Sequence, residues 1–218
     1  MEYVEGGQTL KPWCRPDHLL PLERVVEIAF KCARALDYAH KQGVIHRDIK
    51  PSNILLTEQF DVKLGDFSIA QLSKIDATET IPIGLVGSPR YMSPEQISEE
   101  FVTGQTDIFS LGVVMFELLT GRHPFMAENF SRLVQKILTE APPRLSDVPP
   151  ELERIVNRAL AKDCAERYAM GGELAADLAR AFDQLLEQPR ENISEQEKFA
   201  AVRQLDFFYG FPEAEVWE

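Results

Sequence analysis

The stretch His46-Arg47-Asp48-Ile49-Lys50-Pro51-Ser52-Asn53 decides how the rest of this 218-residue chain is read. Short β signals flank it, Val44-Ile45 before and Ile54-Leu55-Leu56 after, so it reads as a loop. A loop lets a carboxylate (Asp48), an ammonium (Lys50) and an amide (Asn53) converge on one point. Val62-Lys63-Leu64 follows across the polar turn Thr57 to Asp61, which predicts a small hairpin. A hairpin returns the chain to its start, so Asp66, thirteen residues after Asn53, is expected beside it. An Asp carboxylate and an Asn carbonyl are hard oxygen ligands suited to Mg²⁺ that also holds phosphate oxygens. Phosphoryl transfer asks for positioning and charge neutralisation more than covalent chemistry, and this set offers both.

Working outward, residues 22–42 predict a helix. Pro21 suits its first turn, and Val25, Ile28, Ala29, Cys32, Ala33 and Leu36 recur at three- and four-residue steps. Gly43 stands where a left-handed C-terminal cap belongs. From Asp66 to Glu95 no periodicity is sustained, and a loop that long in a compact domain is usually functional. Helices are then predicted at about 105–120, 128–140, 151–162 and 172–187, punctuated by Pro142-Pro143 and Pro149-Pro150. Residues 188–198 are polar and read as a linker. The tail 199–218 turns aromatic again, with Phe207, Phe208, Tyr209, Phe211 and Trp217. Twenty residues cannot bury that much apolar surface alone, so the tail either packs back on the main domain or begins a second one.

Composition narrows the function classes. With 44% hydrophobic and 27% charged residues the chain is an ordinary globular sequence, not a disordered or collagenous one. Lys plus Arg is 23 against 35 Asp plus Glu, a net charge of −12, which is repelled by nucleic-acid phosphates and anionic membranes. Cys14, Cys32 and Cys164 lie far apart without metal-ligand spacing and read as small core or surface residues. An odd cysteine count fits a reducing compartment. Ile108 to Phe116, the apolar run worth checking, is nine residues and too short for a membrane span. A soluble, cytoplasmic protein is expected.

The central stretch resembles the catalytic loop of the eukaryotic-type Ser/Thr protein kinases, whose signature is H-R-D-x-x-x-x-N followed by D-F-G, here Asp66-Phe67-Ser68. Further marks follow in family order. Gly87-Ser88-Pro89-Arg90-Tyr91-Met92-Ser93-Pro94-Glu95 resembles the segment ending in A-P-E, in wording most similar to the bacterial branch. Asp107 to Val113 resembles the buried helix behind the catalytic loop, and Arg167 falls where the family places the partner of the motif's Glu, here Glu95.

The resemblance implies roles at matched positions. Asp48 would accept or orient the substrate hydroxyl proton, and Lys50 would neutralise charge on the γ-phosphate. Asn53 and Asp66 would hold Mg²⁺, and Arg47 would pair with a phosphorylated activation loop. Ser88 marks the Ser/Thr-kinase pattern and, with helix 128–140, the peptide-docking surface. Met1-Glu2-Tyr3-Val4 resembles the hinge, with Met1 as gatekeeper. The backbone of Glu2 and Val4 would bind adenine, above Leu55. His46 is expected packed in the core against Phe67. Asp107 is expected buried and hydrogen-bonded by the catalytic-loop backbone, and Glu95 and Arg167 as a structural ion pair. Thr78 and Thr80 stand between ordinary loop polarity and activating phosphorylation. His18, His40 and His123 show no ligand pattern.

Two departures are noted. Ser68 replaces the glycine of D-F-G, and glycine grants backbone freedom there. No Gly-x-Gly-x-x-Gly occurs in the sequence, and no strand Lys or helix Glu precedes the hinge-like start. The implied fold is therefore mainly α, from an α+β kinase family: a C-terminal lobe with small β-hairpins at the cleft and the N-terminal lobe absent. Residues 1–187 would form the hinge and this lobe. The tail around Leu205 to Phe211 resembles the helical lead-in of bacterial cyclic-nucleotide-binding domains, implying a regulatory sensor domain in the parent protein. The implied function is ATP- and Mg²⁺-dependent phosphorylation of Ser or Thr in proteins, with little activity expected of this chain alone. The rivals are a non-catalytic kinase-lobe binding module and a small-molecule phosphotransferase of related fold.

Overall fold

A computed structural model of the chain describes residues 7–57, 61–65, 71–72 and 89–187. Helix α1, Leu22–Lys41, is the first long element. Its predicted stripe is its buried face: Val25, Ile28, Ala29, Cys32, Ala33 and Leu36 are each at most 1% exposed. Burying one such side chain contributes about 1.5–3 kcal/mol, so the stripe fixes which way α1 faces. Gly43 ends it with φ 74°, a left-handed conformation that glycine adopts without steric cost.

Among the described residues, five short strands carry the loops of the site. β1 (Gln8–Thr9), β3 (Ile54–Leu56) and β4 (Val62–Leu64) form an antiparallel sheet in the order β1-β3-β4. The predicted hairpin is β3–β4, with Leu55 opposite Lys63. β1 adds on the far edge with Thr9 opposite Leu55, a pairing no local pattern announces. β2 (Val44–Ile45) pairs antiparallel with β5 (Gln71–Leu72). The stretch expected to lack structure from Asp66 onward thus contains β5, a 3₁₀ turn at Pro89–Tyr91, and α2 (Pro94–Ile97).

Helix α3, Gln105–Thr120, is buried nearly all round from Thr106 to Leu118, which marks it as the central helix. α1 and α5 (Pro150–Ala159) pack against it. α4, Phe130–Thr139, starts two residues later than the periodicity suggests, because the Asn129 side chain caps it by accepting from Arg132 N at 2.9 Å. α6, Gly171–Glu187, lies along α1. A Cβ on Gly171 would stand 2.5 Å from the Ala33 carbonyl oxygen, so only glycine admits this approach. Gly172 N then donates to Asp37 Oδ1 of α1 at 2.9 Å. Among the described residues no helix is long and apolar enough to cross a membrane.

Candidate active site

The stretch His46 to Asn53 is held from three sides. From above, Leu10 N donates to both Pro51 O (2.9 Å) and Ile54 O (3.0 Å). From beneath, Asp107 at the start of α3, with no exposed surface, accepts from His46 N at 2.9 Å and Arg47 N at 2.7 Å. From the side, Gln96 of α2 donates its Nε2 hydrogen to Arg47 O at 3.1 Å. These bonds hold Arg47 at φ 66°, a left-handed conformation that costs a side-chain-bearing residue about 1–3 kcal/mol. Burial draws the Arg47 guanidinium below its ordinary value while Asp107 draws it back up. It stays a cation.

The left-handed turn swings Asp48 toward Lys50 and Asn53. The Asp48 carboxylate is 6% exposed, and its Oδ2 lies 2.6 Å from Lys50 Nζ and 3.0 Å from Asn53 Nδ2. Asn53 Nδ2 also donates to Asp48 O at 2.9 Å. Both amide hydrogens of Asn53 are thereby spent on Asp48. That fixes the amide's orientation and leaves Oδ1, with Ser52 Oγ 3.5 Å away, as the atom that can accept a cation. A hard carbonyl oxygen so oriented fits a Mg²⁺ ligand.

His46 is fully buried, as expected. Its Nδ1 lies 3.3 Å from the Asp48 N–H, and its Nε2 lies 2.9 Å from Gly65 O. An N–H can only donate and a carbonyl only accept, so the ring proton sits on Nε2. Gly65 N in turn donates to Asn53 O at 2.8 Å. The hairpin therefore delivers the chain to Asn53 at residue 65, one residue before Asp66. Asp66 itself lies outside the described residues, as do Met1, Glu2, Val4, Phe67, Ser68, Thr78, Thr80 and Ser88. Leu55 is half-buried in the middle of β3.

The expected ion pair is present. Arg167 Nη1 and Nη2 lie 2.7 and 3.2 Å from the two Glu95 oxygens, with both residues buried. Burial pushes the Glu95 carboxyl up, but the Arg167 hydrogen bond and charge outweigh it and hold it below the ordinary carboxylate value. Arg167 also donates to Gln105 O and Ala161 O, tying α2 to the head of α3 and the loop after α5.

Two contacts near the site escape a reading of the sequence. His40 Nε2 is 2.8 Å from Asp107 Oδ2, a third partner for that carboxylate, and nothing local in α1 announces it. Gln96 had a legible signal. Ser93-Pro94-Glu95-Gln96 has the capping-box pattern, and Ser93 and Gln96 do cap α2 reciprocally. The reach of Gln96 to Arg47, 49 residues away, has none.

Comparison with known proteins identifies the family of the sequence. The sequence matches the family described as protein kinase domain over residues 1–179. It is 38% identical over 188 residues to the serine/threonine-protein kinase PknB of Mycolicibacterium smegmatis, covering 84% of this chain and 30% of that protein. It is 39% identical over 184 residues to a probable serine/threonine-protein kinase of Clostridium perfringens, covering 83% of this chain and 27% of that one. The serine/threonine-protein kinase PrkC of Bacillus subtilis is 38% identical over 204 residues, 91% of this chain and 31% of the relative. The chain thus spans under a third of the length of these relatives, and every match includes the loop described above. The chain belongs to the protein kinase domain family.

Proposed function

We propose that this chain carries the phosphate-transfer centre of a Ser/Thr protein kinase that uses ATP and Mg²⁺ to phosphorylate Ser or Thr in proteins. The observation that carries the reading is the Asp48 carboxylate, held by Lys50 at 2.6 Å and Asn53 at 3.0 Å in a loop anchored by Asp107. Asp48 takes or orients the proton of the attacking hydroxyl. Lys50, a mobile point charge on a flexible stem, neutralises charge on the transferred phosphoryl group. Asn53, through Oδ1, and Asp66 hold Mg²⁺, which supplies charge neutralisation at the phosphate oxygens. Arg47 answers a phosphorylated activation loop, and Ser88 belongs to the peptide-docking side. The backbone at Glu2 and Val4, with Leu55 beneath, takes the adenine.

On this reading residues 1–187 are the hinge and C-terminal lobe, and the phosphates need a Gly-rich loop and a strand Lys from an N-terminal lobe. Residues 188–198 are a linker, and 199–218 either pack back on the main domain or start a regulatory one, for which the tail's resemblance points to cyclic-nucleotide binding. The matched relatives are named as Ser/Thr kinases, which supports proteins as substrates.

The test joins the chain to the N-terminal lobe of the Bacillus subtilis relative and follows γ-phosphate transfer to a Ser/Thr protein substrate. Transfer is expected with Mg²⁺, and Asp48→Ala is expected to abolish it. Full activity in Asp48→Ala would refute the assignment. A folded hybrid that binds ATP and Mg²⁺ without transfer would favour the rival reading, a lobe that only binds partners.

A further inference from the structure

We propose that Gln96 is a positioning residue for Asp48. It locks the peptide unit between Arg47 and Asp48 by a bond that its capping role does not require. The carbonyl of that peptide accepts from Gln96 Nε2 at 3.1 Å, and its N–H lies 3.3 Å from His46 Nδ1. The preceding N–H, that of Arg47, is taken by Asp107 at 2.7 Å. The backbone entering Asp48 is thus gripped by α2, α3 and the His46 ring together.

The orientation of the Gln96 amide follows from its partners. Ser93 N donates to Oε1 at 3.1 Å, which only an oxygen can accept. Arg47 O can only accept, so the atom facing it is Nε2. One planar amide therefore does two jobs with its two ends. Oε1 caps α2, and Nε2 reaches the catalytic loop.

The helix that carries this amide is itself fixed from the same side. Ser93 Oγ bonds Thr106 Oγ1, next to Asp107, and Glu95 is paired with Arg167. A left-handed residue persists only where its surroundings over-determine it, and Gln96 supplies the bond on the carbonyl side.

The two jobs separate by substitution. Gln96→Glu keeps an oxygen for Ser93 N but cannot donate to Arg47 O. Ser93→Ala removes the hydroxyl half of the cap, the acceptor for Gln96 N, and leaves the Ser93 N–H to hold the Gln96 amide. In the 218-residue chain, Gln96→Glu is expected to speed hydrogen exchange of the Arg47 and Asp48 amides about tenfold, the factor set by one lost hydrogen bond. The α1 and α5 amides should stay protected. Ser93→Ala should speed exchange in α2 and leave Arg47 and Asp48 near the parent rate. Parent-like exchange at Arg47 and Asp48 in Gln96→Glu, or an equal effect of Ser93→Ala, would overturn the proposal.

The kinetic arm rests on the kinase reading above. In the hybrid kinase, Gln96→Glu is expected to lower kcat by about tenfold to a hundredfold while KM for ATP holds, because misplacement of the base affects the chemical step. Asp48→Ala distinguishes the failures. If it stays active, the kinase reading falls and exchange alone decides on Gln96. If it is inactive while Gln96→Glu keeps kcat, the positioning role falls.

Discussion

The Asp107 carboxylate takes the Arg47 amide at 2.7 Å, across sixty residues of sequence. The same carboxylate accepts from His46 N and lies 2.8 Å from His40 Nε2, and none of it is exposed. A buried carboxylate is tolerated only when its oxygens are satisfied. Here its partners are the backbone that must bend at Arg47 to present Asp48. One side chain therefore couples the head of the central helix to the backbone of the candidate active site.

Asp107→Ala should be far more damaging to folding than Asp48→Ala. Removing the buried acceptor strands several donors, at about 1–3 kcal/mol each, whereas the donors to the Asp48 carboxylate keep alternatives: Lys50 Nζ reaches solvent and Asn53 Nδ2 still donates to Asp48 O at 2.9 Å. Asp107→Asn should be nearly as harmful as alanine, because one carboxylate oxygen becomes an NH₂ facing an N–H. Urea unfolding of the three variants checks this, and equal midpoints for Asp107→Ala and Asp48→Ala would contradict it.

The buried Glu95–Arg167 pair predicts asymmetric losses. Arg167→Met leaves a carboxylate in the core and should cost about 3–5 kcal/mol. Adding Glu95→Gln should recover a large part of that loss, since no uncompensated charge then remains. A double-mutant cycle by denaturant unfolding measures the recovery, and purely additive losses would show that the two groups are not coupled.

His123 makes the fold acid-sensitive. Burial pushes it down from 6.5 to about 4, and its Nε2 lies 2.8 Å from Arg90 O. As pH falls through this window the unfolded chain takes up a proton that the folded chain refuses. Stability complete above pH 6.5 should therefore fall by about 3 kcal/mol as pH approaches 4. His123→Gln should flatten this limb, whatever it does to stability at pH 7. Parallel pH curves for parent and variant between these values would rule out His123 as the cause.

Glu117 works in the opposite direction. Burial raises its carboxyl from 4.5 to about 6, against the Tyr91 hydroxyl that donates to it at 2.9 Å. The folded chain keeps the proton longer, so stability present below pH 4.5 is lost as pH rises through 6, by about 2 kcal/mol. Glu117→Gln keeps an acceptor for Tyr91 and should become more stable relative to the parent between pH 4.5 and 7. Chemical unfolding at those two pH values measures the difference, and an unchanged gap between parent and variant would refute it.

The sequence by itself determined the long helices, because burial on one face writes a 3.6-residue period into α1 and burial nearly all round writes a largely apolar run into α3. It also determined the β3–β4 hairpin, the left-handed stop at Gly43 and the grouping of Asp48, Lys50 and Asn53, which lie within six residues of one another. Asp107 and the Glu95–Arg167 pair were legible only through the family resemblance. Periodicity alone does not say which buried carboxylate meets which backbone. What only the tertiary structure decided are the contacts without a local signature: β1 on β3, β5 on β2, His40 on Asp107, and Gln96 on Arg47. Each joins groups far apart in the chain. A hydrogen bond at 3 Å depends on where whole helices come to rest, and that is settled by packing the core rather than by neighbours in sequence.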